Sequence, residues 1–169
     1  MPFQSLVNVT QAPAVAGDFA SLNPRHSALA PIGDGTLSGF IAGTGGVTVG
    51  LFVWAGSDGV TLTNAGSGAP LGFVAREMQA LITVFLGEAS LVVPAGLPLG
   101  SIFDGGDFWA KNTGSGAVTR GLKAFASNTT GAVQFAAAGA TVSGYTETNF
   151  YAATPAAAGE LVKITTVVV

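Results

Sequence analysis

The chain has 169 residues, enough for one domain or one domain with an arm, and it has no cysteine, which excludes disulfides and thiolate metal sites. Only 9% of its residues are charged, against about 25% in an ordinary soluble domain, while 49% are hydrophobic. The net charge is −3 and the six cations (Arg25, Arg76, Lys111, Arg120, Lys123 and Lys163) are scattered, so no positive footprint for nucleic acid exists.

The opening Met1-Pro2-Phe3-Gln4-Ser5 lacks a basic n-region, and no signal peptide is expected. Residues 1–31 carry Pro2, Pro13, Pro24 and Pro31, fit neither helical nor strand periodicity, and are read as an extended N-terminal arm. Phe3, Leu6, Val7, Val9, Val15 and Phe19 make that arm too apolar for a solvated tail. Leu6-Val7-Asn8-Val9 is its one short strand candidate, suited to adding to a neighbour's sheet edge.

Residues 32–169 are read as one β-rich domain, with strands from about Thr36 onward. Asp34-Gly35, Asp58-Gly59 and Asp104-Gly105 are turn pairs. Between such turns the expected strands are Val47–Ala55, Val60–Thr63, Gly72–Ala75, Ala80–Leu86, Ser90–Val93, Asp107–Lys111, Gly121–Ala126, Ala132–Ala136 and Leu161–Val169. Arg76–Leu86 tolerates a helix at Met78–Leu81 but favours a strand through Ile82-Thr83-Val84-Phe85. Every apolar run falls short of the ~18 residues a membrane span needs. Short strands at this density predict an all-β, jelly-roll-like β-sandwich or barrel. Two segments echo each other: Val47–Ala55 matches Val118–Ala126, and Asn64–Ala69 matches Asn112–Ala117. A repeated turn-and-strand unit of this kind fits two facing sheets, with chance similarity in a Gly-, Ala- and Thr-rich chain as the alternative.

Catalytic chemistry is poorly supplied. The only histidine, His26, lies in the proline-rich arm. Ala55-Gly56-Ser57-Asp58-Gly59 departs from a nucleophile elbow at Ala55 and reads as a hairpin turn. Asp104 and Asp107 flank Gly105-Gly106 and are read as turn formers before calcium ligands or an acid/base pair. Gly43-Thr44-Gly45-Gly46 lacks the spacing of a phosphate cradle. No catalytic, metal or cofactor residue is therefore assigned, and no cofactor is expected. Trp54 and Trp109, in mid-strand, keep a lectin-like binding module as the alternative function.

Three segments carry a family resemblance. They are Asn8-Val9 with Ala12-Pro13-Ala14-Val15-Ala16-Gly17-Asp18-Phe19-Ala20-Ser21 and Asn23-Pro24-Arg25; Gly66–Pro70 with Gly72-Phe73-Val74, Arg76-Glu77 and Gln79–Thr83; and Ala158–Thr166. The chain resembles the structural cement proteins that decorate tailed-phage heads, although Val167-Val168-Val169 departs from the aromatic expected near the end. The resemblance implies a non-enzymatic virion protein on the outer surface of an HK97-type capsid, bridging major capsid subunits. It also implies a homo-oligomer, with a dimer as the expected form, and partners that are protein, not nucleic acid or membrane. A surface poor in strongly hydrated ions costs little to desolvate, which suits such an assembly. The candidate interaction residues are Leu6, Val7, Val9, Phe19 and Arg25 in the arm, and Ile164 and Val167 on a terminal strand expected to present an open edge.

Overall fold

The computed structural model describes residues 14–30, 39–76 and 91–167. Among them the strands are β1 (His26–Ser27), β2 (Phe40–Ala42), β3 (Val47–Thr48), β4 (Phe52–Ala55), β5 (Thr61–Thr63), β6 (Gly72–Val74) and β7 (Val92–Val93). They continue with β8 (Pro98–Leu99), β9 (Ile102–Gly105), β10 (Asp107–Lys111), β11 (Lys123–Ser127), β12 (Val133–Ala136), β13 (Tyr145–Ala152) and β14 (Leu161–Thr165). No helix occurs among the described residues. The protein is all-β, as its turn density predicts. Seven strands form one sheet in the order β1-β9-β6-β4-β5-β2-β8, five form a second in the order β10-β14-β13-β11-β12, and β3 pairs with β7.

Side chains alternate across a strand, so a strand buried on both faces needs apolar residues at every position. The centre of the seven-stranded sheet obeys this. Phe52 and Trp54 of β4, Phe73 of β6 and Phe103 of β9 face the five-stranded sheet, where they meet Phe108, Ala124, Phe150 and Ile164. The residues between or beside them, Val53, Val74 and Ile102, face the other way, into a second cluster with Val47 of β3 and Val93 of β7. The result is a β-sandwich with the small β3–β7 ribbon on its outer side.

Between the two large sheets lies a chain of six rings: Phe19, Phe103, Phe108, Phe73, Phe150 and Phe52. Neighbouring centroids are 5.3 to 6.4 Å apart in tilted and edge-to-face arrangements, the geometry that ring quadrupoles favour. Gly72 lets β6 approach β9 closely, since a methyl group there would meet the Phe103 carbonyl oxygen at 2.6 Å. The chain passes from one sheet to the other between β9 and β10, at Gly106, whose φ of +132° is open only to glycine.

The two echoing segments take the same shape. Val47–Ala55 becomes β3, a turn with Gly50 at φ +79° and β4; Val118–Ala126 becomes a bridge at Val118, a turn with Gly121 at φ +90° and most of β11. β4 and β11 belong to the two facing sheets. Five strands (β1, β2, β8, β9 and β13) were not expected from the sequence. The expected strand at Ala80–Leu86, the helix-or-strand ambiguity before it, Leu6–Val9 and the last two valines lie outside the described residues.

Phe108 touches Phe19, Phe73, Phe103 and Phe150. Phe108→Ala is expected to lower the unfolding free energy in urea denaturation by ~3–5 kcal/mol, the cost of emptying a ring site that cannot collapse.

Candidate protein-interaction site

Residues 14–30 run antiparallel to β9 and β10 and lace the edges of both sheets together. At the start, the Asp18 N–H donates to the Val15 carbonyl at 3.0 Å, and Oδ2 of Asp18 accepts the Val15 N–H at 2.9 Å. Beyond this turn the Gly17 N–H donates to Trp109 O at 2.7 Å, the Trp109 N–H to Asp18 O at 2.8 Å and the Ala20 N–H to Asp107 O at 3.0 Å. Farther along, His26 lies opposite Gly105 and Ser27 opposite Phe103 as β1 joins β9, and the Ala28 N–H donates to Ile102 O at 2.8 Å. Gly106 is held from the other side by β14's end, through its N–H to Thr166 Oγ1 at 3.0 Å.

Two carboxylates clasp this strap. Asp18 Oδ1 receives Arg76 Nε at 2.6 Å. Asp107 Oδ2 receives the Ser21 hydroxyl and the Asn23 amide, each at 2.6 Å. Partial burial pushes Asp107 up, but hydrogen bonds from Ser21 and Asn23, the Thr165 hydroxyl opposite it and the Lys163 charge together hold it below the ordinary range. Asp107 Oδ1 itself is buried without a hydrogen-bond partner among the described residues. Asp18 is also lowered: slight burial opposes the shift, and the Arg76 bond, the Val15 N–H and the Arg76 charge outweigh it.

The candidate residues fall in different places. Leu6, Val7 and Val9 lie outside the described residues. Phe19 is half-buried against the inter-sheet core, and the Arg25 guanidinium sits 3.8 Å above its ring centroid. Ile164 is fully buried. The expected open edge there is corrected, since β14 lies between β10 and β13, with Ile164 opposite both Phe108 and Ala152. Val167, just past that strand, is 63% exposed. The sequence missed Leu22 and Leu29, which are 102% and 92% exposed on the strap. Apolar content flagged the arm as a whole, but exposure of single leucines has no sequence signal.

Other chemistry is accounted for by structure. Trp54 is buried, donates Nε1 to Gly68 O at 3.0 Å and packs its ring on Gly66, so it offers no face to a sugar. Trp109 is half-buried with the Lys163 ammonium 5.0 Å from its ring centroid. Lys123 is only 8% exposed and makes no ion pair among the described residues: its Nζ donates to Thr148 O at 3.0 Å and lies 3.8 Å above the Tyr151 ring centroid. That carbonyl belongs to a bulge in β13, where the register jumps from Tyr151 opposite Lys123 to Glu147 opposite Phe125. A shallow cleft beside the bulge is lined by Phe52, Gly72, Asp104, Glu147 and Phe150. One of its two carboxylates, Glu147, already accepts the Gly139 N–H at 2.8 Å. Among the described residues no cluster of three His, Cys, Asp or Glu can hold a metal ion, and no helix is long and apolar enough to cross a membrane.

Comparison with known proteins adds one family and one fold. The family model of the XM1 gp53 minor capsid protein matches residues 3–166. A chain in the solved capsid of Myoviridae phage XM1 superposes with a TM-score of 0.67 at 17% identity, over 98% of each chain. No curated protein matches the sequence.

The clasp has a defined pH dependence. Both carboxylates sit below their unfolded value of about 3.9, so their contribution is complete above that value and is lost as pH falls through the folded-state values. Calorimetric melting from pH 6 to 2 is expected to show a Tm that drops in acid. Asp107→Asn is expected to melt lower at pH 6 and to lose less on acidification. Equal slopes for the two proteins would remove Asp107 from the clasp.

Proposed function

The chain belongs to the XM1 gp53 minor capsid protein family, and on that premise we propose that it is a cement protein of a tailed-phage head, without catalytic activity. In this reading it binds the outer surface of an HK97-type shell and bridges neighbouring major capsid subunits. It does so as a homo-oligomer, a dimer first, with no nucleic acid or membrane partner. The observation that carries the reading is the family match, which runs through nearly the whole chain. The low surface charge supports it, because few hydrated ions must be stripped when the surface is covered.

The mechanism is mechanical. Packaged DNA presses outward, and a junction cannot open until the protein spanning it lets go. Single contacts of modest strength suffice when each molecule makes several at once, because the second contact forms at the high effective concentration set by the first. The arm of residues 1–31 is the docking element and residues 32–169 the body. Residues 14–30 fix the arm's root to both sheets, and in this reading Leu6, Val7 and Val9 make the contact with the neighbour.

The test is co-sedimentation of the purified protein with DNA-filled heads that lack it. Saturable binding is expected, together with DNA retention to a higher temperature than in bare heads. Deleting residues 2–13 is expected to keep the fold and weaken binding at least tenfold, whereas deletion through residue 30 also removes Phe19 and is expected to destabilise the sandwich. Heads that neither bind the full protein nor gain stability would overturn the proposal.

A further inference from the structure

Among the described residues the strap is the outer edge along β9 and β10, and nothing in that set covers it. From Leu22 to Ser27 every residue is exposed, and Leu22 and Leu29 at its ends are almost as accessible as in an unfolded chain. β1 pairs with β9 on one side only and ends the seven-stranded sheet. Proteins usually blunt such an edge with very short strands, proline, charge, bulges or a cover. Here β1 has two residues, a register shift between His26 and Ser27, and Pro24 and Arg25 just before it. That leaves little backbone to pair and makes the two exposed leucines the main feature of the edge. Residues 22–30 contain Arg25 and His26 and no acid, and Arg25 stacks on Phe19 without a carboxylate partner among the described residues.

We propose that the open edge from Leu22 to Leu29 is the surface that docks on the shell, and that its occupant is an extended segment of a neighbouring capsid subunit. That segment adds alongside β1, covers the two leucines with apolar side chains and brings a carboxylate to Arg25. This rests on the cement reading above and names the contact it requires. Area decides between a capsid subunit and a second copy in free solution. Eight residues with two leucines offer far less than the roughly 800 Å² per partner that a stable free interface buries. An edge this small holds only where other contacts already fix the two molecules side by side, as on an assembled shell. The two leucines supply most of the contact there, and the short β1 edge supplies register.

The experiment compares wild type, L22D/L29D and R25E on heads that lack the protein. Calorimetry and sedimentation velocity are run on the free proteins. Both side chains of the double variant point into solvent, so its Tm is expected within a few degrees of wild type. Its head affinity is expected to fall at least tenfold, and that of R25E severalfold. Full-strength binding of L22D/L29D, while wild type binds, overturns this proposal and leaves the cement reading standing; failure of wild type to bind overturns the cement reading itself. A large drop in the variant's Tm would show that the chain covers its own leucines. Loss of a wild-type dimer in solution would make the occupant a second copy. Either result also overturns the proposal.

Discussion

Both sheets depend on one continuous stretch of backbone, Ile102 to Lys111, which serves first as β9 and then as β10. Gly106 turns the corner between them. Because one continuous stretch of backbone feeds both layers, they are joined at this corner, and the side chains between them set their spacing. The phenylalanine chain then fills the gap, and Phe103 and Phe108, on the two arms of the corner, sit 5.4 Å apart at its centre. The strap follows that corner from outside, and the residues after β14 hold it from the other side through Thr166 and Gly106. A side chain at Gly106 would be strained by φ and would meet Arg25 Cγ at 2.9 Å.

Much of the strand content was legible. Asp107–Lys111 was read to the residue, because a glycine pair precedes it and an apolar, aromatic-rich run lies between two charged ends. β13 escaped, although it is the longest strand among the described residues. Its Thr146-Glu147-Thr148-Asn149 run is polar, and its bulge breaks the two-residue period that a sequence scan relies on. β14 was read as a strand but placed wrongly, since Leu161–Thr165 does not encode whether it has one neighbour or two. Pairing order is a long-range property. Composition had no way to show that β10, fifty residues earlier, would be one of those neighbours.

The interaction site shows the same limit. Phe19 and Arg25 stood out because an aromatic and a cation are conspicuous in a proline-rich arm. In the fold they meet each other, which no spacing rule links to the ring of Phe108 nearly ninety residues away. Leu22 and Leu29 looked like ordinary apolar residues. Only their exposure, set by what the strap leaves uncovered, gives them meaning. Lys123 is the reverse case: a charged residue expected at the surface is folded inward to satisfy a carbonyl that the β13 bulge frees from its ladder.

The pairing of β14 between β10 and β13 also dictates when the protein can form. On the ribosome, β10, β11, β12 and β13 emerge before the strand that lies between β10 and β13 exists. Until residues 161–165 clear the exit tunnel, the five-stranded layer is split and the rings of Phe108 and Phe150 lack the cover of Val162 and Ile164. Topologies built on such distant pairings fold slowly, in milliseconds to seconds, because chain entropy is lost before the contacts repay it. Nascent chains of this protein therefore hold β10 and β13 without their shared neighbour until residues 161–165 have been made. The scarcity of charge that suits a covered surface leaves little electrostatic repulsion to keep them apart during that interval.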